Sequence, residues 1–122
     1  MATKKSPEPF YSMSRRAGDM LFLSGFGPVE NGKVVGANIE EQTIFTMDAM
    51  KTVLENEGAT WDNVVRTNVF LLDMDDRDRF NKTYMKYFKN KKRMPTRRLI
   101  GAGDMYKSIL VEIDAIAYVG KE

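Results

Sequence analysis

The sequence predicts an α+β fold in the order ββαβαββ, with two helices on one face of a mixed sheet. Three observations carry this. Short apolar or β-branched runs bounded by turn residues recur at Met20–Ser24, Lys33–Val35, Val64–Leu72 and on both sides of the Gly-rich stretch near residue 103. Between them lie two segments with helical spacing, one framed by Asn38 and Gly58, the other carrying Phe80, Tyr84, Tyr87 and Phe88. The chain has 122 residues, the size of one domain with one core, and 43% of them are apolar, which argues against disorder.

Each element has a local reason. Residues 1–10 (MATKKSPEPF) are polar and read as a flexible lead-in to a single domain spanning 1–122, and Ser12–Arg16 continues that lead-in. Met20–Ser24 (MLFLS), between Gly18 and Gly25, reads as a buried strand. Asn31-Gly32 is a hairpin-turn signal, so Lys33–Val35 should return as a strand. Asn38 with Glu41 three residues on resembles a capping box, and the helix it opens runs to about Asn56. Ile44, Met47, Met50 and Leu54 form its apolar stripe, and Gly58 suits its C-terminal cap. Thr60–Asn63 is a turn, and Val64–Leu72 is a strand by its β-branched content. Asp75 or Asp76 caps the second helix. Lys89–Arg93 is a basic loop that stops before Pro95, and two strands complete the chain.

Composition bounds the chemistry. The absence of cysteine excludes thiol nucleophiles, disulfides and thiolate metal sites, and allows a reduced, cytoplasmic home. The absence of histidine excludes imidazole acid–base work and histidine metal ligation. A net charge of +2 sets up no strong field for nucleic acid. No run is long and apolar enough to read as a signal peptide or a membrane span. The acidic run Asp73, Asp75, Asp76, Asp78 lacks the central Gly and distal Glu of a calcium loop, and helix capping accounts for it better than a metal site does.

The residues left to carry chemistry are few. If the last two strands fold as a hairpin about Asp104 and Met105, Arg97 sits opposite Glu112. A planar guanidinium binds a small carboxylate in two-pronged fashion, and a nearby glutamate can take or give a proton. Spacing alone favours an ordinary cross-strand ion pair. Ser24-Gly25 ends a strand where a ligand can approach the backbone, or is a plain strand end. Tyr11 either closes a pocket or packs with a wet edge, and Asn81, at i and i+3 with Tyr84, either reaches a ligand or bonds to backbone. In the last strand Ile109, Val111, Ile113, Ala115 and Ala117 alternate with Leu110, Glu112, Asp114, Ile116 and Tyr118, so the sheet's second face is half apolar and suits cover by another subunit.

In order and spacing these residues resemble the Rid (reactive intermediate deaminase) family, also called YjgF, RidA-like or endoribonuclease L-PSP. The resemblance runs from Tyr11 to Ala117. It rests on Tyr11-Ser12, Leu23-Ser24-Gly25 with Pro28-Val29, Glu41-Gln42-Thr43, and Val65 with Thr67-Asn68-Val69-Phe70-Leu71. It continues through Asp73-Met74, Asn81 with Tyr84 and Phe88, Pro95-Thr96-Arg97, Val111-Glu112-Ile113 and Ala115-Ile116-Ala117. It implies a chorismate-mutase-like sandwich, a homotrimer with ligand clefts between subunits, and hydrolysis of enamines and 2-imino acids such as 2-iminobutanoate or 2-iminopropanoate to 2-oxo acids and ammonia, with no cofactor. It further implies that Arg97 holds the substrate carboxylate, that Glu112 works on the attacking water, and that Tyr11, Ser24, Gly25 and Asn81 line the cleft. Translation-inhibiting endoribonuclease activity is described for some members, and a non-catalytic carboxylate-binding trimer is the further alternative. The chain departs from the family pattern at Phe26, where Gln is common, at Leu99, where Cys is common, at Arg98, and around Asp104–Tyr106.

Overall fold

The computed structural model describes residues 10–120; most of the expected lead-in lies outside them. The strands are β1 (Ser14–Ala17), β2 (Met20–Phe26), β3 (Val29–Glu30), β4 (Lys33–Val34), β5 (Val64–Leu71), β6 (Thr96–Gly101) and β7 (Val111–Tyr118). The helices are α1 (Ile39–Asn56) and α2 (Arg77–Tyr84). A five-stranded sheet runs β1-β2-β7-β5-β6, antiparallel throughout except for the parallel β5–β6 pair, so it is mixed. Both helices cover one face. Leu21, Leu23, Val69, Leu71, Val111, Ile113, Ala115 and Ala117 from the sheet meet Met47, Met50, Leu54, Phe80, Tyr84 and Phe88 in one core. Each large side chain so buried contributes about 1.5–3 kcal/mol relative to exposure.

The predicted order holds in the main sheet, where Met20–Ser24 lies within β2 as expected, but the other strand of the opening pair is a different one. Lys33–Val34 leaves the main sheet and pairs with Val29–Glu30 in a separate ribbon. Its turn is Asn31-Gly32, both at positive φ (52° and 77°), which is what that dipeptide favours. The main sheet opens instead with β1, inside the expected polar lead-in. β1 is an edge strand that exposes three of its four residues, so it carries no apolar alternation to read.

The last two strands do not form a hairpin. A strand–helix–strand unit returns parallel, so β6 joins the edge beside β5. β7 then inserts on the other side of β5, between it and β2. The connecting residues 102–110 pass the end of β5, where Ala102 N–H donates to the Leu71 carbonyl (2.9 Å) and Leu72 N–H to the Leu110 carbonyl (3.1 Å). Arg97 therefore pairs with Thr67, and Glu112 with Phe70, rather than with each other.

α1 begins at Asn38, whose side chain accepts from Glu41 N–H (2.9 Å), while the Glu41 carboxylate reaches past the cap to Ala37 N–H (3.0 Å). Gly58, at φ 76°, closes its far end. The inward stripe is Ile39, Thr43, Thr46, Met47, Met50 and Leu54; Ile44 lies at its rim, 44% exposed. The cap near α2 is Asp73, which accepts from Asp75 N–H (2.9 Å) at the head of a short 3-10 turn, one turn earlier than expected. Among the described residues no helix is long and apolar enough to cross a membrane.

Candidate functional site

The predicted site residues fall into two clusters on opposite faces of the sheet. The first lies on the helix side at the β6 edge. Thr67 is fully buried, and its hydroxyl shares a hydrogen bond with the Tyr84 phenol (2.8 Å). Arg97, beside Thr67 in register, points the same way. Its Nη1 donates to Asn81 Oδ1 (2.8 Å), and its guanidinium carbon stands 5.0 Å from the centre of the Tyr84 ring. α2 thus holds the cation from two sides, since Asn81 and Tyr84 share a face at i and i+3. Asn81 and the Tyr84 phenol each engage the guanidinium and no ion pair forms among the described residues, so part of its five N–H donors stays available to an anion. Burial pushes the Tyr84 phenol above its ordinary pKa, so it stays protonated beneath the cation.

The second cluster is on the open face. Val111 and Ile113 point into the core, so Glu112 between them points away from the helices. The β2–β7 register shifts between Leu23 and Phe26, and Ser24-Gly25 occupies that bulge. A Cβ at Gly25 would stand 3.1 Å from Glu112 Oε2, so the missing side chain is what lets the carboxylate lie against the β2 backbone. Ser24 Oγ donates to the Ser12 carbonyl (2.6 Å), and Ser24 N–H donates to the Met13 carbonyl (3.0 Å). Ser24 thereby fastens the segment that carries Tyr11 alongside the cleft. Tyr11, Gly25 and Glu112 share the lining of a cleft of about 560 Å³.

Glu112 makes no hydrogen bond or ion pair among the described residues. Its pKa is raised, first because partial burial strips water from the carboxylate, then because Asp114 adds a like charge. Asp114 is itself held by Asn68 Nδ2 (2.8 Å). An unpaired, partly desolvated carboxylate facing a cleft is suited to proton transfer.

The structure thus brings Tyr11, Ser24, Gly25 and Glu112 together, and separately Asn81 and Arg97. The expected Arg97–Glu112 contact is absent within one chain. Tyr84, which the helical spacing places with Phe80 and Phe88, is both core and a neighbour of the Arg97 cation; its i and i+3 relation to Asn81 is the signal that could have found it. Phe26 is buried at the floor of the cleft, and Leu99 packs against the core. Residues of the 102–110 crossover, Tyr106 and Ile109, also line the cleft, which a hairpin reading cannot foresee. In the basic loop, Lys91 Nζ is spent on the carbonyls of Met85 and Phe88, and the Asp62 carboxylate anchors the N–H groups of Lys89 (3.0 Å) and Asn90 (3.3 Å).

Comparison with known proteins is consistent along the chain. Residues 3–119 match the family model described as Endoribonuclease L-PSP. A RutC family protein of Saccharolobus solfataricus is 43% identical over 119 residues, covering 94% of this chain and 93% of the relative. A RutC family protein of Pyrococcus abyssi is 35% identical over 120 residues, covering 95% and 93%. A crystal structure from Yersinia pestis, a protein of unknown function in the conserved Rid family, superposes with a TM-score of 0.86 at 31% identity, covering 93% of this chain and 91% of that one.

Proposed function

The chain belongs to the endoribonuclease L-PSP (Rid, YjgF) family, and from that premise we propose that it hydrolyses reactive 2-imino acids to 2-oxo acids and ammonia. The observation that carries this reading is the pair of incomplete half-sites. One offers a braced guanidinium with spare donors, the other an unpaired carboxylate in a cleft. Arg97 and Glu112 lie on opposite faces with β5 between their strands, so one chain cannot bring both to one small molecule. Two copies can. The open face, with Phe22 44% exposed and Ile116 paired beside it, supplies apolar surface for that contact. This fits the homotrimer with intersubunit clefts that family membership suggests.

The chemistry asks for little. An iminium carbon is already electrophilic, so no cofactor is called for. Arg97 of one copy would hold the substrate carboxylate through two N–H donors. Glu112 of another copy would take a proton from water as its oxygen bonds to the imine carbon. As the C–N bond breaks, Glu112 returns that proton to the departing nitrogen, which leaves as ammonia, and takes the proton of the new hydroxyl as the carbon becomes the carbonyl of the 2-oxo acid. Tyr11, Ser24 and Gly25 would shape the cleft, Ser24 acting through its hold on the 11–13 segment. Asn81 and Tyr84 would act through Arg97.

The family description also carries ribonuclease activity, which would draw on the Lys89–Arg93 loop. The internal bonds of Lys91 weigh against that loop as a phosphate-binding surface. The test is ammonia release from imines generated in place by an amino-acid oxidase, with structured RNA as a parallel substrate. Hydrolysis that fails in Arg97→Ala and Glu112→Gln supports the proposal. RNA cleavage without imine hydrolysis contradicts it, as does 2-oxo acid binding without turnover.

A further inference from the structure

We propose that the cleft beside Glu112 receives the substrate's side chain and selects bulky, uncharged 2-imino acids over the alanine-derived one and over charged ones. This rests on the imine-hydrolysis reading. The cleft of about 560 Å³ begins at the Glu112 carboxylate, where the reacting carbon would sit. Its lining beyond that point is apolar or aromatic: Met13, Phe26, Val29, Phe45, Tyr106 and Ile109. Glu112 is its one charged lining residue among the described residues.

The floor is built rather than incidental. Phe26 and Ile109 are 6% and 2% exposed, so they are fixed by the core. A Cβ at Gly27 would stand 2.7 Å from Ile109 Cδ1, so the floor closes directly on glycine backbone. A methyl group would leave most of this volume filled with poorly bonded water, whereas a branched or aromatic side chain would displace that water against apolar walls. An acidic side chain would meet no cation and a like charge at Glu112. A basic one would pair with Glu112 and remove the base from the reaction. A pocket of this type discriminates by about tenfold or more per methylene group.

The experiment compares kcat/KM for imines generated in place by amino-acid oxidases from alanine, leucine, phenylalanine, glutamate and arginine. The wild-type protein is expected to favour the leucine- and phenylalanine-derived imines over the alanine-derived one by about tenfold or more, with the charged pair lowest. Ala49→Phe, which fills the cleft, and Val29→Asp, which charges it, are each expected to bring the leucine-to-alanine ratio toward one. Equal or better turnover of the alanine-derived or a charged imine by the wild type overturns this inference while leaving hydrolysis standing. An unchanged ratio in both variants does the same. Turnover of none of the imines overturns the underlying reading and this inference with it.

Discussion

The role proposed for Arg97 depends on what already holds it. Asn81 takes one donor and the Tyr84 ring lies against the cation, so the remaining donors are presented without first being ordered. Asn81→Ala should leave the cation present but loosely aimed. The expected outcome is a rise in KM of about tenfold, the worth of one charge-assisted hydrogen bond, with kcat changed less and the melting temperature near wild type. Arg97→Ala should lose about a hundredfold or more in kcat/KM. Glu112 behaves differently, because its pKa is raised by burial and then by Asp114. As the proposed base it would act when deprotonated, so activity should rise with pH through its pKa. Asp114→Asn removes the like charge, lowers that pKa and should move the acid limb of the rate profile to lower pH. A limb that stays in place would show that another group sets it. The placement of these residues was only partly legible in the sequence. The identities of Arg97, Glu112, Asn81 and Gly25 stood out, but which faces they occupy depends on strand order. Strand alternation places neighbours on opposite faces without telling which strands adjoin.

The elements show the same division. α1 was legible from Asn38 to Gly58 because caps are local chemistry, and the Asn31-Gly32 turn was legible for the same reason. β1 was not, since an edge strand with exposed side chains has no apolar period. The insertion of β7 between β2 and β5 was not, since a long connection with Lys107 and Ser108 at φ 53° and 55° carries no turn signature. One side chain ties these pieces together. Buried Gln42 donates from Nε2 to the Gly36 carbonyl (3.1 Å) and accepts from Leu110 N–H at Oε1 (2.8 Å), joining α1 to the ribbon and to the crossover. Gln42→Ala orphans both backbone groups. It should cost about 1–3 kcal/mol, read as a lower denaturation midpoint at fixed protein concentration. An unchanged midpoint would mean that water replaces both bonds.

At the scale of the whole molecule, the sheet has one face in the core and one without a partner among the described residues. Phe22 and Ile116 pair across β2 and β7 on that open face, close to Glu112 and Asp114 along the same strand. If the open face is where copies meet, a charge placed there should dissociate them and silence both half-sites together. Phe22→Asp should therefore shift the sedimentation coefficient toward that of a 14.0 kDa monomer and abolish imine hydrolysis, with the helical circular dichroism retained. The central claim is that Arg97 and Glu112 act on one substrate from different copies, and complementation tests it most directly. Arg97→Ala and Glu112→Ala chains, each inactive alone, are co-expressed with different tags, and mixed oligomers are purified through both. An interface is intact when it joins the arginine of one variant to the glutamate of the other, so in a trimer that carries both tags one cleft of the three is intact and about a third of wild-type ammonia release should return. Mixed oligomers as silent as their parents would contradict the account.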